Sequence, residues 1–263
     1  RYVVTAAQNA TPVNKAFFAS LKNYCAVNNA QLIAIPYRYK NPTSMWSEKA
    51  KDDDWWAAEL VPFLLDRRLE LNKSIVILGD IKTQPTSSAP LQGFDTISGA
   101  RSAVIGHARL ALVTVPTPQS KLPKILATTG AVTERNYIPS KAGKQAEHHH
   151  TFGACALEVA GDVFHMRQLN AVSDGSFMDL DREYFHCGSR HAPRAAALVM
   201  GDSHVEFIDP DVVRGTFGKG GLISKLNPEV LVWHDLHDFF SRSHHHQHEP
   251  FINFVKHHTG TDN

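Results

Sequence analysis

Residues 197–238 read ALVMGDSHVEFIDPDVVRGTFGKGGLISKLNPEVLVWHDLHD. Two short apolar runs, AALVM and EVLVW, each end directly in acid and imidazole. The first delivers Gly201-Asp202-Ser203-His204, and the second delivers His234-Asp235-Leu236-His237-Asp238. A buried strand that stops at a carboxylate puts it at the carboxyl edge of a sheet, where open α/β folds bind ligands. Asp202 and His204 lie two residues apart, so an extended chain turns both to one face. Oxygen and nitrogen donors together suit a borderline divalent ion such as Mn, Fe or Zn. A second strand bringing another carboxylate completes a two-ion clamp of the kind used in phosphoryl chemistry. The structural alternative is that these acids only form turns and caps, as Asp209-Pro210-Asp211 does.

Gly-Asp-x-His, a crossover of about thirty residues and a strand ending in Asp-x-x-Asp resemble the first two motifs of the calcineurin-like metallophosphoesterases. The resemblance implies that Asp202 and His204 hold one metal, that Asp235 bridges two, and that Asp238 supports them. His234 stands where that family has Gly, and the family's later Gly-Asn-His and Gly-His-x-His motifs do not follow before Asn263. The likeness therefore covers about residues 195 to 240. Either this chain is part of a longer protein, as Arg1 in place of an initiator Met also suggests, or the remaining ligands come from elsewhere.

Histidine is abundant near that site. Eight of the sixteen fall in the last thirty residues, and the interrupted run His244-His245-His246-Gln247-His248 reads as native sequence rather than a tag. His245 and His246 are candidates for further ligands or for a leaving-group acid, with His234 and His237 supporting, because imidazole near neutrality serves either role.

Upstream, Val3–Ala7 and Gln31–Ile35 read as strands around a helix starting at Thr11-Pro12 and ending near Tyr24, a β-α-β unit implying a parallel pair. The following loop, with Arg38 and Lys40 among tyrosines, can receive phosphate and stack a base; packed tyrosines in a solvated loop are the alternative. Asp52–Asp54 reads as an acidic helix start. The periodicity predicts a helix over Leu60–Leu71 with Arg67 and Arg68 solvated, then a strand over Ser74–Leu78 ending in Gly79-Asp80, a weaker site candidate. Residues 101–146 hold seven basic side chains against one acid, Glu134, within strand-like runs and turns. Such a surface suits a polyanion, with Arg109, Lys121 and Lys124 as contacts. Gly161-Asp162 marks a hairpin. Residues 173–194 read as a linker. The TFGKGG loop lacks a nucleotide-binding pattern.

The expected architecture is α/β. An N-terminal parallel-sheet domain with a basic β extension (1–172) is followed by the linker and by an incomplete metallophosphoesterase-like α/β domain (195–263). A net charge of +1 sets up no global field toward nucleic acid or membrane. No apolar run is long enough to span a bilayer. Three scattered cysteines suit reduced thiols and a cytoplasmic setting. The expected chemistry is metal-activated hydrolysis of phosphate esters with two divalent ions (Mn, Mg, Fe or Zn) and DNA or RNA as substrate. The protein can act alone or as a homo-oligomer. The whole arrangement also resembles the pre-early DNases of large siphophages, which would place it in host cytoplasm. A small-molecule phosphatase or phosphodiesterase and a non-enzymatic nucleic-acid-binding protein with a structural metal stay open.

Overall fold

The computed structural model describes residues 1–39, 55–118, 120, 121, 123–237 and 244–260. The chain divides into two units, Arg1–His191 and Ala192–Asn263. Both are mixed α/β.

In the first unit, β1 (Tyr2–Gln8), α1 (Lys15–Asn28) and β2 (Gln31–Tyr37) form the expected β-α-β, with β1 and β2 parallel and Gln8 opposite Tyr37. The helix is capped by Asn14, whose side chain accepts from the Phe17 N–H, and not by Thr11. Thr11 is buried and donates its hydroxyl to the Asn9 carbonyl instead. β8 (Gly153–Ala160) joins the other side of β1 antiparallel, and β9 (Val163–Asn170) pairs with β8 through the Gly161-Asp162 turn. The sheet order is β2-β1-β8-β9.

A second, five-stranded sheet contains β3 (Arg68–Glu70), β4 (Ile75–Leu78), β5 (Ser102–Ile105), β6 (Leu112–Val115) and β7 (Lys124–Thr128), in the order β3-β4-β5-β7-β6. The basic segment is thus not an extension of a parallel sheet. Its strands complete this mixed sheet, with β4, β5 and β7 parallel and the edges antiparallel. The helix expected over Leu60–Leu71 is also replaced. A short 3-10 helix, Ala58–Phe63, contains Pro62, and the chain then extends into β3. Proline removes an N–H and crowds the preceding turn, whereas pairing with β4 satisfies the backbone that follows.

The two sheets pack face to face. Val4, Ile33 and Ile35 of the first meet Ile75, Ile77 and Val104 of the second around Cys155 and Leu157. Because side chains alternate along a strand, Val3 and Leu32 point the other way, onto Phe17, Leu21 and Tyr24 of α1. The outer face of the second sheet, with Val76, Leu78, Ala103 and Ile105, is covered by Leu91 and by Phe94 of the short helix α2 (Phe94–Ile97). Each large side chain so buried contributes about 1.5–3 kcal/mol.

Residues expected to link two domains instead form β10 (Phe177–Asp179), β11 (Arg182–Phe185) and β12 (Gly188–His191), a small antiparallel sheet. Phe177 and Tyr184 enter the core against Phe17 and Tyr24. A partly buried polar cluster fixes this sheet. Arg167 donates to Asp179 at 2.6 and 3.1 Å and to Glu158 at 2.7 Å, and the Tyr24 hydroxyl donates to Asp179 at 2.7 Å. Burial, and then the Asp179 carboxylate, push the Tyr24 phenol well above its usual range. Asp179→Ala leaves the Arg167 charge without its main partner. It is expected to cost about 2–4 kcal/mol, read as a lowered urea midpoint with an unchanged slope. A variant as stable as the parent would remove the cluster's assigned role.

In the second unit, β13 (Ala197–Asp202) and β14 (Val230–His234) form a parallel pair, connected through α4 (Pro210–Phe217) and α5 (Leu222–Leu226). Asp209 caps α4, accepting from the Asp211 N–H, and Pro210 occupies its first turn. Arg194 donates to the carbonyls of Asn227 and Pro228, holding the approach to β14. The pair leaves Val199, Val230 and Leu231 exposed. A last helix, α6 (Pro250–Thr259), follows a 3-10 turn at His244–His246.

Candidate functional site

In the second unit the structure brings together the ends that the sequence singles out. Asp202 lies opposite His234 in the parallel register. Beyond the strands the backbones stay laced. The Asp235 carbonyl accepts from the N–H groups of Ser203 (3.2 Å) and His204 (3.0 Å), and the Leu236 carbonyl accepts from Val205 (3.0 Å). His204 and Asp235 both take the left-handed backbone, at φ 40° and 39°. Residues other than glycine adopt it sparingly, and such conformations cluster at functional loops. The indole N–H of Trp233 donates to the Ser203 hydroxyl, tying the strand ends once more. Asp202, His204 and Asp235 therefore share one sheet edge, held from below by main-chain bonds.

Asp202, His234, Asp235 and His237 are exposed and His204 is half-buried. His237 Nδ1 lies 3.0 Å from a Glu206 carboxylate oxygen, joining the two loops. The donor chemistry at the edge suits a divalent cation. Among the described residues, however, no group of three or more His, Cys, Asp or Glu side chains converges to hold one. Asp238 lies outside the described residues. His245 and His246 sit in the 3-10 turn before α6, His246 being the less exposed.

The basic candidates of the first unit separate into different environments. Lys124 is buried, and its ammonium donates to the carbonyls of Asp95 (2.5 Å) and Gly99 (2.6 Å). It closes the end of α2 and is not a surface contact, a correction that tertiary packing makes. Lys121 is exposed. The Arg38 guanidinium lies over the Trp56 ring at 5.6 Å. Lys40 falls outside the described residues. Tyr37 is 2% exposed, so it cannot stack a base, and Tyr39 packs edge-on against Tyr137. Asp80, the weaker candidate, is ion-paired to Arg68 at 3.4 Å. Arg109 follows β5 and borders an open groove of about 530 Å³ lined by Leu91, Val113 and Val115.

Two buried histidines beside Arg109 escaped the sequence reading. The His107 Nδ1 accepts the Arg109 N–H at 2.9 Å, so its proton sits on Nε2, which donates to the Gln84 carbonyl at 3.1 Å. His150 donates from Nε2 to the Thr133 carbonyl (3.0 Å) and accepts the Tyr137 hydroxyl at Nδ1 (2.8 Å). Burial lowers both imidazoles, His150 to about 4. A folded pKa below the ordinary value of about 6.5 means that the unfolded chain binds the extra proton first. The stability linked to neutral His150 is thus full above about pH 6.5 and declines as pH falls toward 4. Urea midpoints should drop between pH 7 and pH 5, and His150→Gln should flatten that slope. An equal slope in the variant would exclude His150 as its source.

Among the described residues no helix is long and apolar enough to cross a membrane. The three thiols are free, with Cys25 and Cys155 buried and Cys187 exposed.

The two units thus define a mixed α/β protein in which a parallel strand pair ends in acids and imidazoles. No family model matches the chain. It is similar to Protein A1 of Escherichia phage T5, at 31% identity over 255 residues, covering 93% of this chain and 46% of that protein. The chain thus spans about half the length of the curated relative it matches. A solved structure, Chaetomium thermophilum Vps29, aligns at 8% identity with a TM-score of 0.33, covering 66% of this chain and 93% of that one. That likeness is too slight to bear on fold or function.

Proposed function

We propose that this chain belongs to a metal-dependent phosphodiester hydrolase acting on DNA or RNA, with Asp202, His204 and Asp235 as the metal-holding side chains. The observation that carries the reading is the parallel β13–β14 pair, whose two acid-bearing ends are locked together through the Asp235 carbonyl. One or two divalent ions bound there would polarise a phosphoryl oxygen and lower the pKa of an attacking water. The chain's own contribution is to hold two carboxylates and an imidazole on one rigid edge. His245 and His246 stand as candidates to give a proton to the leaving oxygen. With Lys124 buried and Arg101 and Lys144 paired to Glu70 and Glu147, Arg109 and the exposed Lys121 are the basic side chains that support a polyanionic substrate over a small phosphate ester. The similarity to a phage protein fits action in host cytoplasm.

The test is cleavage of linear and circular DNA by the full-length protein with EDTA, Mg or Mn. Divalent-dependent cleavage is expected, and loss of the circular form would report endonuclease action. Hydrolysis of a generic phosphodiester without DNA cleavage would move the reading to a small-molecule phosphodiesterase. DNA binding without hydrolysis of either substrate under any divalent ion would leave a binding protein.

A further inference from the structure

We propose that the free edge of the five-stranded sheet in the first unit, strand β6, is a docking site for an extended peptide segment of a partner protein. That segment carries apolar side chains at alternate positions and acidic residues beside them. β6 (Leu112–Val115) closes the sheet and pairs with β7 alone. The hydrogen-bond phase identifies the groups it leaves unused. The Thr128 N–H donates to the Ala111 carbonyl at 2.9 Å, so Ala111, Val113 and Val115 turn their main chain toward β7. The Ile125 N–H, opposite Thr114, points the other way and donates to the Ser102 hydroxyl at 3.0 Å. Leu112 and Thr114 therefore aim their N–H and C=O groups outward. Among the described residues no main-chain partner meets them.

The strand carries none of the features that keep sheet edges unpaired. Leu112 is 61% exposed and Val113 46%, and Leu112-Val113-Thr114-Val115 holds no charge and no proline. On the outer face of the sheet it borders the groove of about 530 Å³, with Val113 and Leu126 on one side and Pro90 and Leu91 on the other. A peptide paired with Leu112 and Thr114 runs alongside this groove and turns every second side chain to it. Cations stand at both ends. Arg109 precedes β6, its main chain fixed by His107 and by a bridge to His150 just beyond helix α3 (Lys141–His149). Exposed Lys121 lies in the connection from β6 to β7. Asp95 is the one acid among the described lining residues, and no Asp or Glu occurs between Thr96 and Thr133. Acidic residues on the peptide complement this charge. A second copy does not, because antiparallel self-pairing brings the Arg109 end of each strand toward the Lys121 connection of the other. Self-pairing of a four-residue strand also buries well under the ~1,200 Å² of total surface that a stable dimer needs. Peptide docking here requires neither a metal nor a nucleic acid.

The test uses the full chain, in EDTA, as bait for a displayed library of short random peptides. Enriched peptides are synthesised and titrated against wild type, Thr114→Pro and Val113→Glu. Thr114→Pro removes an outward N–H without touching a β6–β7 hydrogen bond, a change that edge strands accept. Val113→Glu sets a carboxylate at the groove and leaves the main chain whole, so it keeps the test decisive should Thr114→Pro lower the melting temperature. Enriched peptides should place apolar residues at alternate positions and carry Asp or Glu beside them. Each variant should weaken their binding about tenfold. Bound peptide should slow hydrogen exchange at the Leu112 and Thr114 amides. No enrichment would overturn the docking site, and so would peptides that bind Val113→Glu, or a normally melting Thr114→Pro, as tightly as wild type. Self-association of wild type that Thr114→Pro abolishes would put a second copy on the edge and overturn the peptide assignment.

Discussion

Asp235→Asn is expected to reduce divalent-dependent phosphodiester cleavage by on the order of 10³-fold while leaving the fold and nucleic-acid binding in place. The substitution isolates the carboxylate for a specific reason. The backbone of Asp235 is left-handed at φ 39°, a conformation that asparagine tolerates about as well as aspartate. Its carbonyl, which accepts from Ser203 and His204, is untouched by the change. What disappears is one negative charge at the edge where a cation would bind. The far-UV spectrum and the melting temperature should be those of the parent. Oligonucleotide affinity in EDTA should be equal or slightly higher, because one like charge has gone. Asp235→Ala is a poorer probe, since alanine pays for the left-handed backbone and confounds chemistry with strain. Wild-type rates in Asp235→Asn across Mg and Mn would sink the metal assignment of this residue, whatever the enzyme proves to cleave.

The second large effect concerns stability. Gly130 follows β7 with φ 79°, and a Cβ built there would lie 2.7 Å from the Gly153 Cα. Its N–H donates to the His107 carbonyl at 3.0 Å, while its own carbonyl accepts from Ala6 at 3.1 Å. The residue thus stitches β1 to the segment carrying His107 at a point where two backbones nearly touch. Gly130→Ala adds a left-handed penalty and a backbone collision that no rotamer change can relieve. Together these are expected to cost about 3–5 kcal/mol, or roughly 10 °C in Tm. Gly161→Ala is the matched control. Its φ is 58°, and a Cβ there meets nothing within 4 Å, so only the conformational penalty of about 1 kcal/mol should appear. Equal melting temperatures for the two variants would mean that the close approach at Gly130 is not a constraint.

Local signals in the chain mark out many of the strands and several of the turns, but not β3, read as helix, or β10–β12, read as linker. Val3–Ala7, Gln31–Ile35, Ser74–Leu78 and the Gly161-Asp162 hairpin are visible as apolar runs bounded by turn residues, and all become strands or turns. The parallel pairing of β13 and β14 is legible for the same reason, because a helix-bearing crossover constrains two strands to run the same way. The placement of Asp202, His204 and Asp235 at neighbouring strand ends follows from that pairing, although their side chains do not close on one point. Nothing local distinguishes Lys124 from Lys121: both are lysines in a basic, turn-rich segment, yet one is buried under two carbonyls and the other is exposed. Likewise, Phe177 and Tyr184 sit in polar sequence that reads as a linker. They enter the core only because α1 presents Phe17 and Tyr24 to them from more than 150 residues away.

The amino-acid sequence by itself marked β1, β2, β4, the β8–β9 hairpin and the β13 and β14 runs, and which acids and imidazoles the ends of the last two carry, since alternation and turn chemistry act over a few residues. It did not mark β3 or β10–β12. Tertiary structure alone decided which strands share a sheet, which cations are spent on carbonyls, and that His107 binds the Gln84 loop to Arg109. Those outcomes depend on burial and on hydrogen-bond partners brought together from distant parts of the chain, and no short window of sequence contains both partners.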